Sequence, residues 1–249
     1  MSWLAYRKLN PKAKLRLFCF PYAGGGASIF RPWLKYLPQD IEVCPIQLPG
    51  RENRLNEKPF NRLTPLIQKL SEVIRPYLDV PFVFLGHSMG ALISFELAHH
   101  IRFHYKLEPL SLFVSGCRAP NRICRNTRMH QLPTEDFLQE LRKFEGMPEE
   151  ILNHPELMEI LIPILRKDFE IVETYKLMEV APFDYPIFAF GGLKDKEVSR
   201  EDLEAWRNHT STSFTLSMLP GGHFFINSER QLFLETLFRN LNEILRKLS

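Results

Sequence analysis

The chain has 249 residues, 45% of them hydrophobic and 24% charged, which suits one large α/β domain, residues 1–249, with a single core. A net charge of +3 is too small to argue for nucleic acid. No apolar run approaches the roughly 20 residues needed to span a bilayer, and the first residues lack a signal-peptide pattern, so a cytoplasmic protein is expected.

Residues 3–6 suggest a short edge strand, and 15–20 form the first clear strand. It runs out at Pro21-Tyr22-Ala23-Gly24-Gly25-Gly26. Ser28 is placed to cap a helix through Phe30, Trp33, Leu34 and Leu37, ahead of a second strand at 41–46. After the loop Leu48-Pro49-Gly50-Arg51-Glu52-Asn53-Arg54, residues 64–78 have helical spacing. Further strands are expected at 82–87, 110–115, 186–190 and 214–219. Strands alternating with helices in this way imply a doubly wound, mostly parallel sheet. Ligands in such sheets lie beyond the carboxyl ends of the strands, so the loops that follow the strands share one rim.

The rest is organised around Gly86-His87-Ser88-Met89-Gly90, where an apolar strand turns sharply into an apolar helix. A serine hydroxyl is a poor nucleophile unless it is exposed, near a base and beside oxyanion donors, and a strand-to-helix elbow supplies the exposure. Glycines two residues either side of Ser88 relieve the near-collision of strand and helix. Met89 then offers its backbone N–H, with the helix N-terminus behind it.

The alternation stops between Cys117 and Tyr185. In a fold whose connections usually run about 2–6 residues, an insertion of about 65 reads as a helical lid, 118–184. Helical stretches are expected around 137–144, 149–152 and 156–177. Their apolar positions (Phe137, Leu141, Phe144, Leu157, Ile160, Leu161, Ile164, Leu165 and Phe169) are divided between packing the lid down and lining an acyl channel. Ser228-Glu229-Arg230-Gln231 has the capping-box pattern for a last amphipathic helix.

Of eight histidines, His223 follows the last strand on a glycine-rich turn, where a base would reach Ser88. His87 flanks the nucleophile and is given a supporting role. His99, His100 and His104 are expected at the opposite rim in solvent. Asp195, directly after the strand at 186–190, is the matching acid, while Asp184 falls at the wrong rim and Asp168 in the lid. The chain order Ser88, Asp195, His223 is that of the α/β-hydrolase fold. A second oxyanion donor is expected from the loop after the first strand, at the Ala23 N–H. That loop lacks the spacing of a nucleotide-binding motif. Cys19, Cys44, Cys117 and Cys124 contain no CxxC pair, and Cys19 and Cys44 fall in buried strands, so neither a disulfide nor zinc is implied.

With these pieces placed, the sequence resembles the type II thioesterases that accompany non-ribosomal peptide and polyketide synthases, and the related medium-chain thioesterase of animal fatty acid synthesis. The matching stretches are 20–25, 47–52, 86–90, 165–169, 191–195 and 219–224, the Leu48-Pro49-Gly50-Arg51-Glu52 segment being the specific one. The resemblance implies hydrolysis of acyl groups from the phosphopantetheine arm of carrier proteins. It also implies Ser88, Asp195 and His223 as triad, Ala23 and Met89 as oxyanion hole, and no metal or organic cofactor. A monomer is expected.

A free-standing esterase or an acyltransferase would use the same residues, and a non-catalytic carrier-binding module would not need them intact. Arg118, Arg122, Arg125 and Arg128 crowd the start of the lid, where a solvated face is the default and docking of an acidic carrier domain the alternative.

Overall fold

Six strands make one sheet in the order β2-β1-β3-β4-β5-β6, and every ladder between them is parallel. The computed structural model describes residues 3–5, 10–123, 128–144 and 149–248. In chain order the strands are β1 (Leu15–Phe20), β2 (Ile41–Pro45), β3 (Phe82–His87), β4 (Leu112–Ser115), β5 (Ile187–Gly192) and β6 (Phe214–Leu219). The helices are α1 (Leu63–Ile74), α2 (Met89–Tyr105), α3 (Thr134–Lys143), α4 (Glu149–Leu152), α5 (Pro155–Glu173), α6 (Arg200–Glu204), α7 (Phe225–Ser228) and α8 (Arg230–Leu248).

The strands are near-continuous apolar runs because helices cover both faces of the sheet. Alternation still sorts them. Phe18, Phe20, Phe84, Leu112 and Val114 face the core shared with α1 and α2, while Leu17, Cys19, Val83, Leu85 and Phe113 face the core shared with α8. The chain leaves β1 for β2 on one side and returns to place β3 on the other, so the strand order reverses between β1 and β3. A crevice opens at that point, beyond the carboxyl ends of the two strands. The register Phe20↔Gly86 puts the loop after β1 beside the turn after β3.

The lid has a small core of its own. Phe137, Leu141, Leu152, Met158 and Leu165 are buried together with Met129, whereas Leu157 and Ile160 of the same helices are exposed.

Several local expectations are corrected. Residues 3–5 make no strand, only a bridge between Leu4 and Ile46. Ala27–Lys35 is a 3₁₀ helix with Pro32 inside it and Gly26 at its cap, so Ser28 lies within its first turn, where its hydroxyl donates to Glu52 Oε1 at 2.6 Å. Helix α5 stops at Glu173 and not at 177. Ser228 ends the short turn α7, the Glu229 N–H is held by the Phe225 carbonyl at 2.8 Å, and α8 begins at Arg230. The capping box of this chain lies at Ser199 and Asp202, which cap α6 reciprocally. Cys19, Cys44 and Cys117 are buried and in no disulfide, and Cys124 lies outside the described residues.

Candidate active site

The elbow at Ser88 is held by backbone contact. A Cβ on Gly90 would come within 2.1 Å of the Phe20 carbonyl oxygen, so only glycine lets α2 start against the end of β1. Ser88 itself has φ 54° and ψ −120°, a conformation that costs about 1–3 kcal/mol for a residue with a side chain and projects Oγ off the turn. Its N–H is anchored to the Ser115 carbonyl at 2.8 Å.

Three loops from three strand ends then meet. His223 Nε2 lies 3.1 Å from Ser88 Oγ, and His223 Nδ1 lies 2.9 Å from Asp195 Oδ2. An ionised carboxylate only accepts, so the proton sits on Nδ1 and the Nε2 lone pair faces the serine. Asp195 is held in turn: its Oδ1 accepts the N–H groups of Glu197 at 2.8 Å and Val198 at 3.1 Å. Hydrogen bonds from Leu193 N–H to the Leu219 carbonyl and from Lys194 N–H to the Gly221 carbonyl stitch the acid loop to the base loop. Both side chains are buried, at 0% exposure for Asp195 and 6% for His223, so their attraction is little screened.

Ser88, Met89, His223 and the segment 22–26 line a cavity of about 930 Å³. Met89 opens α2 and so has no intrahelical acceptor for its N–H; Ala23 lies across the crevice. The remaining walls are mostly apolar, including Leu141, Phe144, Leu161, Ile164, Leu165 and Phe169 of the lid. Phe137, by contrast, packs inside the lid core. Cys117 also borders the cavity, but burial pushes its thiol up to about 12, too high to act as a thiolate nucleophile at neutral pH.

His87 points away from the cavity. It is fully buried, its Nδ1 is 2.9 Å from Ser115 Oγ, and burial followed by the nearby charge of His223 pushes its pKa well down. A neutral His87 places no charge beside the His223 ring, whose centre is 5.2 Å away. His99 is not solvated: it stacks on Phe183 with ring centres 4.0 Å apart, and burial lowers its pKa to about 4. His100 and the exposed His104 lie against each other on the same helix, away from Ser88.

Sequence reasoning missed a set of braces. Arg118, grouped with the basic cluster, donates from Nε and Nη2 to the Glu197 carbonyl and lies 3.3 Å from Asp202, so it props the acid loop. Arg122 is exposed, Arg128 is exposed beside the cavity, and Arg125 lies outside the described residues. The segment after β1 is pinned from the stretch 47–54: Gln47 Oε1 accepts the Ala27 N–H at 2.9 Å, and Arg51 donates to the Gly25 carbonyl at 3.1 Å. In the 47–52 stretch only Gln47, Arg51 and Glu52 are polar, and nothing local shows that two of them reach back to the loop after β1. Among the described residues no group of three or more His, Cys, Asp or Glu is placed to hold a metal ion.

A parallel sheet with its elbow serine at the switch point, followed in the chain by an acid and then a histidine, is the α/β-hydrolase fold. Comparison with known proteins narrows the class. The thioesterase-domain family model matches residues 15–245, and the chain belongs to that family, serine hydrolases acting on thioesters. It is 48% identical over 244 residues to the gramicidin S biosynthesis protein GrsT of Aneurinibacillus migulanus, spanning 98% of this chain and 95% of that one. It is 43% identical over 246 residues to a Brevibacillus parabrevis protein named linear gramicidin dehydrogenase LgrE, spanning 98% and 94%. Among solved structures, the type II thioesterase BorB from the borrelidin biosynthetic cluster superposes with a TM-score of 0.88 at 33% identity, over 97% of this chain and 99% of that one.

Proposed function

We propose that this protein is a type II thioesterase that removes acyl or aminoacyl groups from the phosphopantetheine thiols of carrier-protein domains, with Ser88 as nucleophile, His223 as base and Asp195 as its orienting acid. The observation that carries the reading is the unbroken chain Asp195–His223–Ser88 opening on a large, mostly apolar cavity. In the first half-reaction Ser88 Oγ attacks the thioester carbonyl and gives its proton to His223 Nε2, and the oxyanion settles against the Ala23 and Met89 N–H groups. The C–S bond then breaks, and His223 returns the proton to the leaving thiolate. Water repeats the sequence on the acyl-Ser88 ester, releasing the acid. Each step balances with the substrate, water and these side chains, and none needs a metal or organic cofactor. All five groups come from one chain, so a monomer suffices.

The relative named a dehydrogenase raises a redox reading, which the loop after β1 disfavours. The Gly24 N–H, where a dinucleotide pyrophosphate would seek a donor, is held by the Asp168 carboxylate at 2.7 Å, and a 3₁₀ turn containing Pro32 follows in place of a helix N-terminus. The test compares turnover of one acyl group on a carrier domain, on coenzyme A and on p-nitrophenol. Highest kcat/KM on the carrier is expected; turnover of the oxygen ester alone would make this a free-standing esterase. Reversing charge at Arg122 and Arg125 checks carrier docking through the lid base: a drop confined to the carrier-bound substrate supports it, and unchanged activity removes it.

A further inference from the structure

Behind the cavity lies a buried ion pair with no part in the chemistry above. Arg51 and Asp168 are 5% and 1% exposed, and the pair is bidentate: Nη1 to Oδ2 and Nη2 to Oδ1, both at 2.8 Å. Asp168 Oδ2 also accepts the Gly24 N–H at 2.7 Å, while Arg51 Nη1 also donates to the Gly25 carbonyl. One carboxylate on a lid helix therefore grips the backbone immediately after Ala23.

Leu165, one turn earlier on α5, reinforces the grip. Its Cδ2 lies 2.6 Å from where a Cβ of Gly24 would stand, and Gly24 has φ +77°. The Gly25 N–H to Tyr22 carbonyl bond, 2.9 Å, closes the turn on the other side of Ala23. The orientation of the Ala23 peptide is thus set from the lid as well as from β1.

Stability alone does not account for such a pair. Desolvating two charges costs about as much as their attraction returns, and well-packed apolar side chains would hold the lid as firmly. An apolar pair could not accept the Gly24 N–H. We propose that Asp168, aligned by Arg51, is a positioning residue for thioester hydrolysis: it holds the loop after β1 so that the Ala23 N–H faces the oxyanion, and it makes the docking of α5 a condition of fast acylation. The proposal rests on the reading of Ser88 as nucleophile and Ala23 as donor.

Two variants test it, Asp168→Asn, which keeps a carbonyl oxygen but loses the charge, and the double variant Arg51→Met with Asp168→Leu, which removes the pair without stranding a buried charge. Displacing an oxyanion donor costs about 10- to 100-fold when geometry slips by an ångström. Expected for both variants are a fall of that size in the acylation rate and kcat, a KM within threefold of wild type, and an equal loss of affinity for an alkyl trifluoromethyl ketone, which forms a tetrahedral oxyanion on serine. Wild-type kcat and ketone affinity in a folded double variant, with or without a lowered Tm, would overturn the proposal, and so would a rise in KM alone. Wild type and Ser88→Ala run in parallel separate the two layers. A wild type without thioester turnover defeats the underlying reading, whereas an active wild type matched by the double variant defeats only this inference.

Discussion

A Cβ added to Gly86 would lie 2.1 Å from the carbonyl oxygen of Gly90, so strand β3 and helix α2 touch backbone to backbone across the Ser88 turn. No side-chain rotation relieves a clash with backbone. Gly86→Ala should therefore cost at least the 1–3 kcal/mol typical of overpacking, lowering Tm by roughly 2–10 °C, and should displace Ser88 enough to cut kcat by about 100-fold. Thermal unfolding and thioester turnover of the variant check both.

Asp195→Asn tests the acid. The asparagine carbonyl can keep the Glu197 and Val198 N–H groups, which directs its NH₂ at His223 Nδ1. That forces the proton onto Nε2, the atom that accepts from Ser88 in the proposed mechanism. A loss of about 10⁴ in kcat with Tm changed by no more than a few degrees is expected, the pattern known for a serine protease in which the same exchange was made. A large Tm loss would mean that Asp195 serves the loop more than the histidine.

Buried neutral histidines make the fold acid-sensitive away from the active site. His99 and His209, packed around Phe95 and Phe183, have pKa values pushed down to about 4 by burial, with the Arg102 and His209 charges adding to the shift at His99. A lowered folded pKa means the unfolded chain binds more protons, so stability is highest above the unfolded value near 6.5 and falls as pH drops from about 6.5 to about 4. Urea midpoints should decline across that window, and His99→Phe should flatten the decline; a midpoint constant from pH 7 to pH 4 would contradict it.

Phe169 sits where the lid faces the cavity, against Phe144, which in turn reaches the His223 ring. Phe169→Ala should enlarge the acyl space and move the preferred chain length upward while kcat on the best substrate stays within about tenfold, because only uniform binding is altered. Turnover across a series of acyl chain lengths measures this, and an unchanged profile would place the acyl group elsewhere.

Much of this was legible beforehand, because patterns of short range carry it. The apolar runs of the six strands, the Gly-Ser-Gly elbow and the placement of Asp195 and His223 just past strand ends follow from local sequence and the direction of a parallel sheet. What was not legible depends on partners far apart in the chain. Ser28 looks like a helix cap until Glu52 takes its hydroxyl, Arg118 looks like surface charge until the Glu197 carbonyl is beside it, and His99 looks solvated until Phe183 covers it. The Arg51–Asp168 clamp spans 117 positions, and nothing local to either residue pairs them.

The most direct measurement is intact-mass and peptide mapping of the enzyme quenched during turnover of an acyl thioester, with Ser88→Ala alongside. Wild type should carry one acyl group on the peptide containing Ser88, and Ser88→Ala should carry none and lose at least about 10³-fold in turnover. Full thioesterase activity in Ser88→Ala, or an acyl group mapped to another residue, would contradict the assignment of Ser88 as nucleophile.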